Sequence, residues 1–191
     1  MNDKIPKKIY QSWKTKDIQG NMLQAVNRVK ALNPDYEYYL YDDQDCRDFL
    51  LNNFGKEYLM AFDNLIPGAY KCDFWRYAIL YLYGGIYMDI DMTPLVPFNE
   101  MIDPEDEFVS VVDRPNGTIY QAFIACIPKH PILLNCLELS FYNIISKKID
   151  ISSPWLTLTY TGPIVAGQAF HIYMKNEDIQ AQIKPKKYGN I

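Results

Sequence analysis

The sequence predicts an α/β domain built on a largely parallel sheet. Segments of strand character alternate with segments of helix character along the whole chain. The connections between them are short and punctuated by Gly, Pro and Asn. One apolar run, residues 86–91, ends in two carboxylates, as strands do where an α/β sheet presents its carboxyl edge to a ligand.

The elements follow in order. Residues 7–13, KKIYQSW, predict a first strand just after Pro6. Residues 21–33 place Met22, Ala25, Val26, Val29 and Leu32 at helical spacing and stop at Asn33-Pro34. Residues 36–43, YEYYLYDD, predict a second strand. Residues 43–55 predict a helix with an acidic first turn and a glycine stop, which suits the helix dipole, and KEYLMAF gives a short helix after it. Residues 67–85 carry the strongest helix, with Phe74, Tyr77, Ala78, Tyr81 and Leu82 in one stripe and Gly84-Gly85 at its end. A strand is expected over 86–91, others over 108–113 and 118–128, a long helix over 130–148 with Pro131 in its first turn, and a last helix over 161–176. No repeat, low-complexity tract or linker divides the 191 residues, so one domain is expected.

Composition narrows the function. The chain is 49% hydrophobic and 22% charged, ordinary for a globular protein, and its net charge is -4. With no basic block, the electrostatic footprint of a nucleic-acid binder is missing, and KPKK at 184–187 reads as a solvated tail. The 16 tyrosines combine flat apolar faces with hydroxyls; most belong to the core, and the remainder suit a carbohydrate or nucleotide cleft. Cys46, Cys72, Cys126 and Cys136 show no CxxC spacing and no secretory leader precedes them, so reduced thiols and a cytoplasmic location are expected. The longest apolar stretch, YAILYLY, is too short to span a membrane.

The chemistry concentrates in YGGIYMDIDM, residues 83–92. On a strand, Ile86, Met88 and Ile90 share one face and Tyr87, Asp89 and Asp91 the other. Two ionised carboxylates so close repel unless a cation lies near them, and hard oxygen donors suit Mg²⁺ or Mn²⁺. Alternatively the two aspartates only cap the turn into TPLVP. The preceding helix carries Asp73 and Arg76, three residues apart and therefore neighbours on its surface. Their flanking residues are almost all apolar, so the charged pair is expected to face a site rather than solvent.

These residues carry a family resemblance. AYKCDFWRYAILYLYGGIYMDIDM, residues 69–92, resembles the signature of glycosyltransferase family 32, whose members include yeast mannosyltransferase-like and bacterial capsular polysaccharide enzymes. IPKKIYQSW (5–13), NPDYEYYLYDD (33–43), QAFIACIPKHPIL (121–133) and TGP (161–163) are similar to further elements of that family, so the likeness covers about residues 4–165. The resemblance implies a GT-A fold, a nucleotide-sugar donor (UDP- or GDP-linked), a glycan or other hydroxyl acceptor, a divalent cation (Mn²⁺ or Mg²⁺) and retention of anomeric configuration. It implies that Asp91 holds the metal, and that Asp89 helps while contacting ribose or sugar. By the same likeness Asp73 and Arg76 bind sugar hydroxyls, Tyr87 lies beside the donor, and Trp13 and Tyr10 belong to the nucleotide site.

The sequence also departs from the family. Tyr10 stands where it usually has His, and Gln121, in the donor site by position, where it often has Asn. No closing His or Ser-Trp element follows KKYGNI, so a minimal domain without that segment is expected. His130 before Pro131 reads as structural, and His171 as no ligand. Two rivals stay open. One is a non-catalytic nucleotide-sugar or glycan binding module; the other is a metal-dependent phosphotransferase or nuclease, disfavoured by the acidic charge and the missing P-loop. The acceptor side is expected in 113–120 and 152–163.

Overall fold

The structure, a computed structural model, describes residues 3–113, 118–146 and 156–175. Five strands form one sheet in the order β2-β1-β3-β5-β4. They are β1 (Lys8–Ser12), β2 (Glu37–Tyr41), β3 (Gly85–Met88), β4 (Phe108–Asp113) and β5 (Thr118–Cys126). β1 pairs parallel with β2 and β3, while β5 runs antiparallel to β3 and β4. Four strands therefore point one way and β5 alone opposes them, which is the mixed, mostly parallel sheet expected. The helices are α1 (Gly20–Leu32), α2 (Asp43–Phe54), α3 (Lys56–Asp63), α4 (Gly68–Tyr83), α5 (Pro131–Ser146), α6 (Leu156–Thr159) and α7 (Pro163–Met174). Sequence periodicity missed the one-turn α6 and the 3-10 turn Phe98–Glu100, both too short to show a period.

Side-chain alternation splits the core into two layers. Ile9, Ile86, Met88, Phe123 and Ala125 pack with Val29 of α1 and Phe98 on one face. Tyr10, Tyr87, Ile124 and Cys126 pack on the other face with α2, α3, α4, α5 and α7. The centre of α4 is buried almost all round, from Phe74 to Leu80. Side chains of that size stabilise by roughly 1.5–3 kcal/mol each when fully buried. α2 begins in a reciprocal cap: Asp42 accepts from the Asp45 N–H at 2.9 Å, and Asp45 accepts from the Asp42 N–H at 3.0 Å.

Gly84 and Gly85 connect α4 to β3 with φ of 63° and 96°, backbone that favours glycine. A Cβ on Gly84 would stand 2.6 Å from the Pro128 nitrogen, and one on Gly85 2.7 Å from the Lys8 carbonyl oxygen. The pair thus lets β3 enter the sheet directly beneath the helix it follows.

One expectation is corrected. The strand predicted over 86–91 ends at Met88, and Asp89–Asp91 form a turn closed by the Met92 N–H donating to the Asp89 carbonyl at 3.1 Å. The ladder to β1 stops at Tyr10–Tyr87, and the one to β5 at Met88–Phe123. The faces assigned to Asp89 and Asp91 by alternation therefore come from a turn, not a pleat.

Candidate active site

A cleft of about 790 Å³ opens at the carboxyl ends of β1 and β3. β1 contributes Ser12 and the following Trp13; α4 contributes Cys72, Asp73 and Arg76; the turn after β3 contributes Asp89 and Asp91; β5 contributes Gln121. Ligand clefts of α/β sheets lie at this edge, because strand ends and helix starts converge there.

Arg76 is the centre of the site. It is 4% exposed, and its guanidinium reaches Asp73 at 3.2 Å through one terminal nitrogen and Asp89 at 2.9 Å through the other. The second nitrogen also donates to the Tyr87 hydroxyl at 3.2 Å, and the guanidinium carbon sits 4.1 Å from the centre of the Tyr87 ring. Tyr87 donates to Asp89 at 2.6 Å. Since that bond uses the only phenolic proton, the Cys72 thiol donates to the Tyr87 oxygen at 2.8 Å, and the Ser12 hydroxyl donates to the Cys72 sulfur at 3.2 Å. A chain of hydrogen bonds thus runs from β1 across α4 to the carboxylate of Asp89.

Electrostatics follow from burial. Burial works to lower the Arg76 pKa, but Tyr87, Cys72, Asp73 and Asp89 together hold it well above its ordinary value, so it stays a cation. Burial raises the Tyr87 phenol, with Arg76 opposing, and keeps it a donor. Burial pushes the Asp73 carboxyl up to about 7, against the pull of Arg76 and of the hydrogen bond from Thr161. That bond, Thr161 Oγ1 to Asp73 at 3.1 Å, comes from the segment before α7. The Thr161 carbonyl also accepts from the Tyr77 hydroxyl at 2.9 Å and from the Gln121 amide at 3.3 Å; Gln121 further donates to Tyr77.

The structure brings Asp73, Arg76, Tyr87, Asp89, Asp91, Trp13 and Gln121 to one cleft. Tyr10 it does not. That side chain is 2% exposed and stacked on Tyr39 at 5.5 Å, beneath the cleft and in the core. As a strand residue flanked by the aromatic rows of β2, it fills the layer under α2. Trp13, one residue past β1, stands 37% exposed at the mouth. Cys72 and Ser12 were overlooked by sequence reasoning. Cys72 could have been found, since it precedes Arg76 by one helical turn; Thr161, expected on the acceptor side within TGP, instead donates to Asp73 across 88 residues, a contact with no local signal. His130 is buried at the start of α5, where its Nδ1 accepts the Ile132 N–H at 3.3 Å; His171 is exposed. Of the expected acceptor segments, residues 114–117 and 152–155 lie outside the described residues, as does KPKK; Tyr120 and Pro163, in the described parts, line the cleft.

The two aspartates of the turn differ. Asp89 is engaged on one oxygen by Arg76 and Tyr87, whereas the exposed Asp91 side chain makes no hydrogen bond or ion pair with a described residue. Among the described residues no three His, Cys, Asp or Glu side chains gather into a metal cluster. Two hard oxygen donors on one turn fit a divalent cation whose remaining positions go to substrate oxygens and water, as Mg²⁺ sites do. Cys46, Cys72, Cys126 and Cys136 are all free thiols, and no helix among the described residues is long and apolar enough to cross a membrane.

Residues 20–109 match the family model described as the glycosyltransferase sugar-binding region containing the DXD motif. Inositol phosphoceramide mannosyltransferase 3 of Schizosaccharomyces pombe is 33% identical over 180 residues, covering 93% of this chain and 48% of that protein. Inositol phosphoceramide mannosyltransferase 2 of the same yeast is 39% identical over 162 residues, 84% of this chain and 44% of that protein. The chain spans about half the length of these relatives. Among solved structures, PaToxG glycosyltransferase superposes with a TM-score of 0.72 at 22% identity, covering 93% of this chain and 74% of that one, a likeness of fold. The fold is of the GT-A type.

Proposed function

The chain belongs to the glycosyltransferases with a DXD-containing sugar-binding region, and from that membership we propose that it transfers a sugar from a UDP- or GDP-linked donor to a hydroxyl of a glycan or similar acceptor. The observation that carries the reading is the division of labour at the acidic turn: Asp89 is fixed by Arg76 and Tyr87, while Asp91 beside it is free to take a ligand.

In this reading Trp13 lies against the base at the cleft mouth, offering an exposed aromatic face anchored by its backbone N–H to the Tyr41 carbonyl at 3.0 Å. Asp73 and Arg76 orient the sugar. Asp73 accepts a hydroxyl proton when ionised, and Thr161 holds its carboxylate in place for that contact. Gln121, with its amide donors turned to Tyr77 and Thr161, closes the floor on the far side. Asp91, with Asp89, would hold Mn²⁺ or Mg²⁺, which offsets the charge that develops on a leaving nucleoside diphosphate. The anionic surroundings favour an oxocarbenium-like transition state. Retention of configuration, as front-face attack without a covalent intermediate, belongs to the proposal as what the family likeness implies.

The test is nucleoside diphosphate release from a panel of UDP- and GDP-sugars in Mn²⁺ or in EDTA. Mannosyl donors of both kinds are tried first, because these relatives are named as mannosyltransferases. Release from one donor, lost in EDTA and in Asp91→Ala, is the expected result. Donor binding without release would assign a binding module instead. Turnover unchanged in Asp91→Ala would remove the site assignment.

A further inference from the structure

Gln11 lies outside the cleft yet holds the backbone on which the acidic turn is built. It is fully buried at the end of β1, on the α1 side of the sheet. Its Nε2 donates to the Met88 carbonyl and to the Asp89 carbonyl, each at 3.2 Å. Its Oε1 accepts from the Tyr38 hydroxyl at 2.7 Å. This assignment of the amide is forced: two carbonyls can only accept, so the nitrogen faces them and the oxygen faces the phenol. Burial raises the Tyr38 phenol and keeps it a donor.

The location gives these bonds their meaning. The β1–β3 ladder ends at Tyr10–Tyr87, so the carbonyls of Met88 and Asp89 have no backbone partner on β1. Gln11 takes both. On the opposite side the Asp89 N–H donates to the Ala122 carbonyl of β5 at 2.9 Å. The residue that begins the turn is therefore gripped from two strands, by a side chain on one side and a main chain on the other. Beyond it, among the described residues, the Met92–Asp89 backbone bond closes the turn. Removing the side-chain grip strips the Met88 carbonyl of its side-chain donor at a buried edge and leaves the Asp89 carbonyl with the Met92 N–H alone, which frees the turn to sample other conformations.

We propose that Gln11, oriented by Tyr38, is a positioning residue that pre-sets the Asp89–Asp91 turn for its divalent cation and donor phosphates. The inference rests on the transferase reading for its functional consequence, but its structural claim does not. Gln11 touches no substrate; its effect is on how much ordering the ligands must supply when they bind.

The experiment compares wild type with Gln11→Met, which keeps length but donates nothing, with Tyr38→Phe, and with the double variant. Amide hydrogen exchange without metal or donor should quicken about tenfold at Asp89–Met92 in Gln11→Met while α4 and β5 keep their protection. Mn²⁺ titration by electron paramagnetic resonance, with nucleoside diphosphate present, should show about tenfold weaker binding. The Mn²⁺ concentration for half-maximal turnover should rise similarly, with kcat at saturating Mn²⁺ little changed. Tyr38→Phe should act in the same direction but less, and should add nothing in the Gln11→Met background, because it works through Gln11. Wild-type exchange and Mn²⁺ affinity in Gln11→Met would overturn the proposal. So would quickened exchange spread evenly over α4 and β5, which marks general destabilisation. If wild type turns over no donor, the transferase reading fails by itself, while the exchange and Mn²⁺ arms still decide the clamp.

Discussion

Asp73→Asn is the sharpest probe of the buried charge at this site. Asp73 is 8% exposed, its pKa is pushed up to about 7 by burial, and Arg76 and Thr161 only partly offset that rise. A carboxyl whose native pKa lies above its unfolded value stabilises the fold fully below the unfolded value and loses that contribution as pH rises through the native one. With the unfolded value at 3.8 and the native one at about 7, the stability lost between pH 5 and pH 8 comes to roughly 2–3 kcal/mol. Asparagine has the same size, keeps an acceptor for Thr161 and does not titrate. Urea unfolding of both proteins from pH 5 to pH 8, in EDTA so that no cation intervenes, gives two stability curves. Their difference removes every other titrating group and any pH-independent cost of the substitution. Wild type should fall relative to Asp73→Asn by roughly 2–3 kcal/mol over that range. A flat difference, or wild type gaining as pH rises, would refute the reasoning: it would mean that Arg76 outweighs burial and holds Asp73 ionised throughout.

Three further outcomes are expected. His130, whose pKa burial lowers to about 4 between the Phe108 and Tyr173 rings, stabilises the fold fully above about 6.5 and loses up to ~3 kcal/mol as pH falls through 4; in His130→Asn, which still accepts the Ile132 N–H, urea titrations should lack this acid loss. Thr161→Val deletes the hydroxyl donating to Asp73 at 3.1 Å and should cost about 1–2 kcal/mol; removing a bond that lowers the Asp73 pKa should also move the pH dependence described above to higher pH. Gly85→Ala, at φ 96° with a Cβ 2.7 Å from the Lys8 carbonyl, should destabilise by more than about 2 kcal/mol, measured by thermal unfolding.

The sequence made the frame of the site legible because its signals are local. Apolar residues at helical spacing, the glycine pair and the acidic start of α2 each act within one or two turns of chain, and each appears where expected. Asp73 and Arg76 were legible as an inward pair because charge at i and i+3 among apolar neighbours has few places to go. What stayed hidden depends on partners far along the chain. β3 ends at Met88 because the ladder to β1 stops at Tyr87 and a side chain 77 residues away takes the Met88 carbonyl. Tyr10 read as a cleft residue from the family likeness, but the stacking of Tyr39, set by a parallel register 29 positions on, covers it.

The difference between the two aspartates of the turn follows from that same long-range geometry. A pair of free carboxylates on a turn would repel and would leave the turn to be ordered by its cation. Here the positive charge of Arg76, held in place by Asp73 and the Tyr87 ring, neutralises Asp89 before any ligand arrives. Only Asp91 keeps an uncommitted carboxylate. Asp89 thereby serves as the fixed joint between the buried network and the cleft, and Asp91 as the arm that reaches out from it. Loss of Asp91 should leave the fold untouched, whereas loss of Arg76 strands two carboxylates at once. Under the proposed function the two acidic positions serve two different physical tasks, and the one at Asp89 is performed against Arg76 and Tyr87 inside the protein.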